Sequence, residues 1–177
     1  MKTADKIFCL YLAVTITFVV LFIHPLSDYI EFYKAVENCQ LELYEAKLNT
    51  TQLRNGIVHL LIKFNVSNPT NFKNLKVTTI TCNLYYSTPQ FSLPKQLPGL
   101  TETFREPIGI PSNGYSIIEV EFKFKRESEH KAIKEFFNLL LTEPEEIDFI
   151  LQGQYVLYAY RYPFAISMGP FIFSHEN

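Results

Sequence analysis

GIVHLLIKFNVSNPTNFKNLKVTTITCNLYYS, residues 56–87, reads as two strands meeting at a corner. Val58, Leu60, Ile62, Phe64 and Val66 recur at every second position, with His59, Lys63 and Asn65 between them. Side chains alternate faces along a strand, so this spacing predicts a strand buried on one side. It breaks at Asn68-Pro69. Proline holds the preceding residue extended, lacks an N–H and presets a turn, while Asn68 can bond nearby backbone in an Asx-turn. The pair is therefore expected to be structural, turning the chain from one sheet into another. Beyond it, Leu75 and Val77 share one parity, and Ile80, Cys82, Leu84 and Tyr86 share the other. A slip of one residue inside a strand predicts a bulge near Thr78-Thr79.

Upstream, Asn55-Gly56 is a turn signal. Before it, Leu41 and Leu43 alternate with polar residues, and the pattern resumes on the other parity at Ala46 and Leu48. Downstream, Pro89, Pro94, Pro98, Pro107 and Pro111 predict an ordered loop or short edge pieces over 87–114, because proline cannot donate to a ladder. Ile118, Val120, Phe122 and Phe124 then alternate with charged residues in a strand over 117–125. A helix is expected over 128–141, capped by Ser128, with Ile133, Phe136, Phe137 and Leu140 on one side. Two aromatic strands follow, over 147–162 and 164–173, parted at Pro163. Short strands with turn chemistry between them, and no βαβ alternation, predict a mostly β, antiparallel sandwich with one inserted helix.

The N-terminal part is of another kind. Residues 7–23 run for seventeen positions without a charge. At 1.5 Å per residue they span roughly 25 Å, close to the thickness of a bilayer's hydrocarbon core. A signal peptide starts in the same way, but this run is long for one, and the bulky HPLSDY that follows offers no small-x-small cleavage site. An uncleaved single-pass anchor over 1–24 is the reading preferred. Lys2 and Lys6 precede the run and Asp28 and Glu31 follow it, which places the N-terminus in the cytoplasm and the remainder outside or in a lumen. After Pro25, a candidate kink, Leu26, Tyr29, Ile30, Tyr33 and Val36 have helical spacing and predict an amphipathic stalk over 25–38. The sandwich domain then occupies 39–177.

Chemistry is sparse. The net charge of −2 carries no basic block, which argues against nucleic acid as a partner. His24, His59, His130 and His175 have no ligand spacing. Glu143, Glu145, Glu146 and Asp148 read as a solvated connection. Phosphate-loop, H-E-x-x-H and G-x-S-x-G motifs are absent, so no catalytic, cofactor-binding or metal-binding residue is assigned and no cofactor is expected. Cys39 and Cys82 are both external on this topology and form a candidate disulfide. Two sequons, Asn49-Thr50-Thr51 and Asn65-Val66-Ser67, make Asn49 and Asn65 candidate glycosylation sites.

Taken together, Phe64-Asn65-Val66-Ser67-Asn68-Pro69, then Leu75-x-Val77, then Leu84-Tyr85-Tyr86 resemble the core of the late embryogenesis abundant type 2 (LEA-2) domain, also called the water stress and hypersensitive response (WHy) domain. Ile110-Pro111 before a strand, the strand over 117–125 and Gly153 in FILQGQYVL extend the resemblance over roughly residues 39–173. The stretch 87–110 departs from it in being longer and richer in proline. The resemblance implies an immunoglobulin- or fibronectin-III-like sandwich, often behind an N-terminal anchor. It implies stress protection or membrane-contact and lipid-binding roles, and it carries no catalytic residues.

Three functions follow as expectations. The first is a non-enzymatic, membrane-anchored external module for interaction or protection. The second is an accessory subunit of a larger membrane complex, with Cys9, Thr15 and Thr17 turned to other helices. The third is a lipid or apolar-ligand carrier, drawn from the aromatic strands over 155–162 and 164–173.

Overall fold

The computed structural model describes residues 3–159 and 162–174, and their side chains apart from those of residues 3–5, 24 and 162. The chain begins with helix α1 (Thr3–Asn38). Strands β1 (Gln40–Asn49), β2 (Ile57–Asn68), β3 (Leu75–Ser87), β4 (Lys95–Gln96), β5 (Leu100–Ile110) and β6 (Gly114–Lys125) follow. Helix α2 (Lys131–Thr142) precedes strands β7 (Asp148–Ala159) and β8 (Tyr162–Ser174). All pairings are antiparallel. One sheet has the order β1-β2-β6; in the other, β4 and β5 pair successive stretches of β3 along one side, and β7 then β8 lie on its other side. The result is a mostly β sandwich behind an N-terminal helix, as expected.

The alternating residues of 56–87 fill the space between the sheets. Val58, Leu60, Ile62, Phe64 and Val66 are fully buried, and so are Leu84 and Tyr86 across from them. The parity slip in β3 is a bulge between Val77 and Thr79, and the earlier parity change is a second bulge between Leu43 and Glu45 in β1. A further bulge lies in β7 between Leu151 and Gly153. There the backbones come so close that a Cβ on Gly153 would meet the Thr81 carbonyl oxygen at 1.9 Å. Only glycine fits such an approach.

Helix α2 closes one end of the sandwich. Its amphipathic face buries Ile133, Phe136, Phe137 and Leu140, as expected. The Phe136 ring meets Phe124 of one sheet at 5.7 Å, and Tyr86 and Phe149 of the other at 5.4 and 5.9 Å. It therefore joins both layers, and burying such a ring is worth roughly 1.5–3 kcal/mol.

Several expectations change. Ser128 is not the cap of α2. The helix starts at Lys131 with His130 at the N-cap, and the Ser128 hydroxyl accepts the His130 N–H at 3.3 Å in the turn before. The proline-rich stretch is more regular than a loop, since β5 is an eleven-residue strand. Pro107 is tolerated because it falls between Thr103 and Ile108, where the register shifts and β5 has no partner residues in β3. Pro163 does not part the last two strands; it pairs with Tyr158 inside β8. Anchor and stalk are one helix, continuous through Pro25.

Candidate functional site

Asn68 is fully buried at the end of β2 and uses both ends of its amide. Its Nδ2 donates to the Phe72 carbonyl at 2.9 Å, and its Oδ1 accepts the Thr70 N–H at 3.1 Å and the Thr70 hydroxyl at 2.6 Å. A buried amide is tolerated only when it is bonded in this way. The corner is braced from the β5–β6 loop, where the Asn113 N–H donates to the Thr70 carbonyl and its side-chain amide reaches Asn71 at 2.6 Å. Asn68 and Pro69 thus form the structural corner expected of them.

The corner also has a product, Phe72. Its ring meets Phe32 of α1 at 5.6 Å, and Phe164 of β8 approaches Phe32 at 5.2 Å and Tyr33 at 5.4 Å. Phe32 and Ala35 are buried there, 2% and 0% exposed, with Val36 half-buried beside them. The base of α1 is therefore clamped to the end of the sandwich opposite α2. This corrects the expected stalk face. Leu26, Tyr29, Ile30 and Tyr33 are largely exposed, and the packed stripe is Phe32, Ala35, Val36 and Cys39. Both stripes have i, i+3, i+4, i+7 spacing, so periodicity alone does not separate them.

Toward its N-terminus α1 is exposed on every side. Ile7, Phe8, Leu10, Tyr11, Phe18 and Phe22 are each more than half exposed. It is the one described helix long and apolar enough to cross a membrane. Thr15 and Thr17 donate their hydroxyls to the Tyr11 and Ala13 carbonyls at 2.9 and 2.8 Å within the helix. Their polar groups are thereby satisfied without a neighbouring helix.

The outer faces of the two sheets differ in charge. Across β1, β2 and β6 lie Glu42, Glu45, Lys47, Lys63, Glu119, Glu121, Lys123 and Lys125, with Lys63 paired to Glu45 and His59 Nδ1 2.7 Å from Glu121. The hydrogen bond from Lys63 holds the Glu45 carboxyl below its ordinary range. In β3, β7 and β8 the only charged residues are Lys76 and Asp148, near the ends. Between them the outward side chains include Thr81, Asn83, Tyr85, Gln152, Gln154 and Ser167, and Gln152 donates to the Tyr85 hydroxyl at 3.2 Å. Thr81, Asn83, Gln152, Gln154 and Ser167 also line a depression of about 400 Å³ floored by Gly153 and Gly169.

The remaining candidates are dispersed. Cys39 and Cys82 are buried free thiols, so the candidate bridge is not formed. Burial pushes the Cys39 thiol up to about 11 and the Cys82 thiol up to about 12, leaving both protonated at neutral pH. Cys39 lies where α1 joins β1, and its carbonyl accepts the Tyr155 hydroxyl at 3.5 Å. Cys82 pairs with Gly153 in mid-sheet. Asn49 is exposed at the end of β1, while Asn65 lies in the central strand between Glu42 and Ile117. His59 pairs with Lys123 in β6 and His130 is the N-cap residue of α2, while the side chain of His24, Lys2 and His175 lie outside the described residues. Glu143, Glu145, Glu146 and Asp148 surround a 3-10 turn, and among the described residues no group of His, Cys, Asp or Glu is arranged to hold a metal ion. Of the aromatic residues over 155–162 and 164–173 that pointed to an apolar ligand, Tyr155 is buried, Phe164 packs on Phe32 and Tyr33, and Phe173 stacks on Phe149 at 5.3 Å.

No family model matches the chain, and no curated protein matches it. It is similar in fold to solved structures at low identity. A structural-genomics target shares 12% identity at a TM-score of 0.46, over 77% of this chain and 85% of that one. A protein from Archaeoglobus fulgidus shares 7% at 0.45, over 75% and 97%. A protein from Arabidopsis thaliana, solved in solution, shares 13% at 0.42, over 76% and 77%.

Proposed function

We propose that this is a non-enzymatic, single-pass membrane protein of the LEA-2 type that holds a β-sandwich outside the cell, or in a lumen, for interaction or protection. One observation carries the reading. Helix α1 is exposed and apolar along its first part, then becomes buried at Phe32 and seats on the sandwich without a break. A helix apolar on all sides finds its place in lipid. Between residue 24 and Phe32 the helix rises only about 12 Å, so the domain stands close to the bilayer surface. Protease added to intact cells is expected to digest the sandwich and spare the anchor; full protection of the sandwich would overturn the external placement.

The outer face of β3, β7 and β8, uncharged between Lys76 and Asp148, favours a second reading, an accessory subunit of a membrane complex. Interface cores are depleted in charge, whereas a solvated face normally carries it. Purified in mild detergent, such a subunit migrates with a second chain, and Gln154→Arg releases that chain. A lone monomer contradicts this reading.

A further inference from the structure

The two sequons differ in geometry. Asn49 is exposed at the last position of β1, an edge strand, at the end of the sandwich away from α1. Its Oδ1 accepts both the Thr51 N–H at 3.0 Å and the Thr51 hydroxyl at 2.7 Å. Because the amide is planar, this holds Nδ2 away from the backbone, and Nδ2 makes no hydrogen bond among the described residues. The sequon's own hydroxyl thus sets the orientation of the acceptor amide. Ten residues of β1, at about 3.3 Å each, place this point roughly 30 Å along the strand from the base of α1.

Asn65 has the same sequence pattern in other surroundings. It lies in β2, the middle strand, opposite Glu42 on one side and Ile117 on the other. Its Oδ1 is buried and has no hydrogen-bond partner. The side chain is half-buried and borders an open depression with Ser67, Asn113 and Tyr115, so a sugar on Nδ2 would lie across the middle of the three-stranded sheet while the amide oxygen stays unbonded.

We infer that Asn49 is the N-glycan acceptor of this protein and that Asn65 is not modified. The inference rests on the external placement proposed above. In the transfer, Asn49 Nδ2 attacks the anomeric carbon of a polyprenyl-diphosphate-linked oligosaccharide. The N–C bond forms as the bond from that carbon to the diphosphate oxygen breaks. The lipid diphosphate leaves with the electron pair, and the amide proton passes to a base of the transferase.

The test is expression of the full chain in a eukaryotic secretory pathway, followed by amide-releasing glycosidase and gel mobility. The expected result is a single-step shift that is abolished by Asn49→Gln and by Thr51→Ala. Ser67→Ala, which destroys the second sequon while keeping the Asn65 side chain, is expected to leave the shift unchanged. A shift that survives Asn49→Gln, or that loses a step with Ser67→Ala, overturns the assignment. With no shift at all, external protease separates the two causes. A sandwich that is digested yet unglycosylated overturns this inference alone, and a protected sandwich overturns the placement beneath it.

Discussion

Asn68 lies under the packing of the whole proximal end, although its own contacts are local. Truncating it leaves the Thr70 N–H and the Phe72 carbonyl without their partner in a buried corner. Unsatisfied buried groups cost about 1–3 kcal/mol, so Asn68→Ala is expected to lower the free energy of unfolding by about 2 kcal/mol in urea titration. A change under about 0.5 kcal/mol, the range of an ordinary surface substitution, contradicts the role given to the corner. This role was legible in the sequence because Asx chemistry acts over two to four residues. The purpose of Phe72 was not, since its partners Phe32 and Phe164 come from distant segments. Gly153 stood out in the sequence through resemblance, and its physical reason, the Thr81 carbonyl against it, exists only once β3 and β7 pair.

Strand alternation and its interruptions carried most of the element structure. Parity changes at 43–46 and 77–80 became bulges because a register slip must send one residue out of the pleat. β5 was hidden for the opposite reason: its burial is irregular, and Pro107 within it and Pro98 and Pro111 beside it mask an edge strand that pairs on one side only. The stalk face was misassigned because α1 carries two stripes of equal spacing, and only the pocket formed by Phe72 and Phe164 selects between them. Across the bulge in β1, Lys63 holds Glu45 and ties the edge strand to β2. The hydrogen bond lowers the folded-state pKa of Glu45, so its stabilisation is present above the ordinary carboxylate range and is lost as pH falls through the lowered value. Lys63→Met is therefore expected to flatten the fall in melting temperature on acidification below about pH 4.5. An acid limb identical to that of the parent protein would show that the pair contributes nothing there.

At the level of the whole molecule, two helices close the two ends of one sandwich. α2 joins the sheets at one end through Phe136, and α1 reaches the other through Phe32. The remaining length of α1 is what no soluble sandwich needs, an apolar helix exposed on all sides for most of its length. The helix is continuous into the domain, so a cleaved form would lose its exposed part. The sequence disclosed the long apolar helix and the class of fold because both are written in composition and period. It did not disclose the contrast between the charged face of β1, β2 and β6 and the sparsely charged face of β3, β7 and β8, which depends on which strands become neighbours. The most direct test of the account is alkaline carbonate extraction of membranes, followed by the intact mass of the protein after removal of glycans. A chain of the full 20.6 kDa retained in the membrane pellet is the expected result. Release into the wash, or a chain shortened through the 7–23 segment, would contradict it.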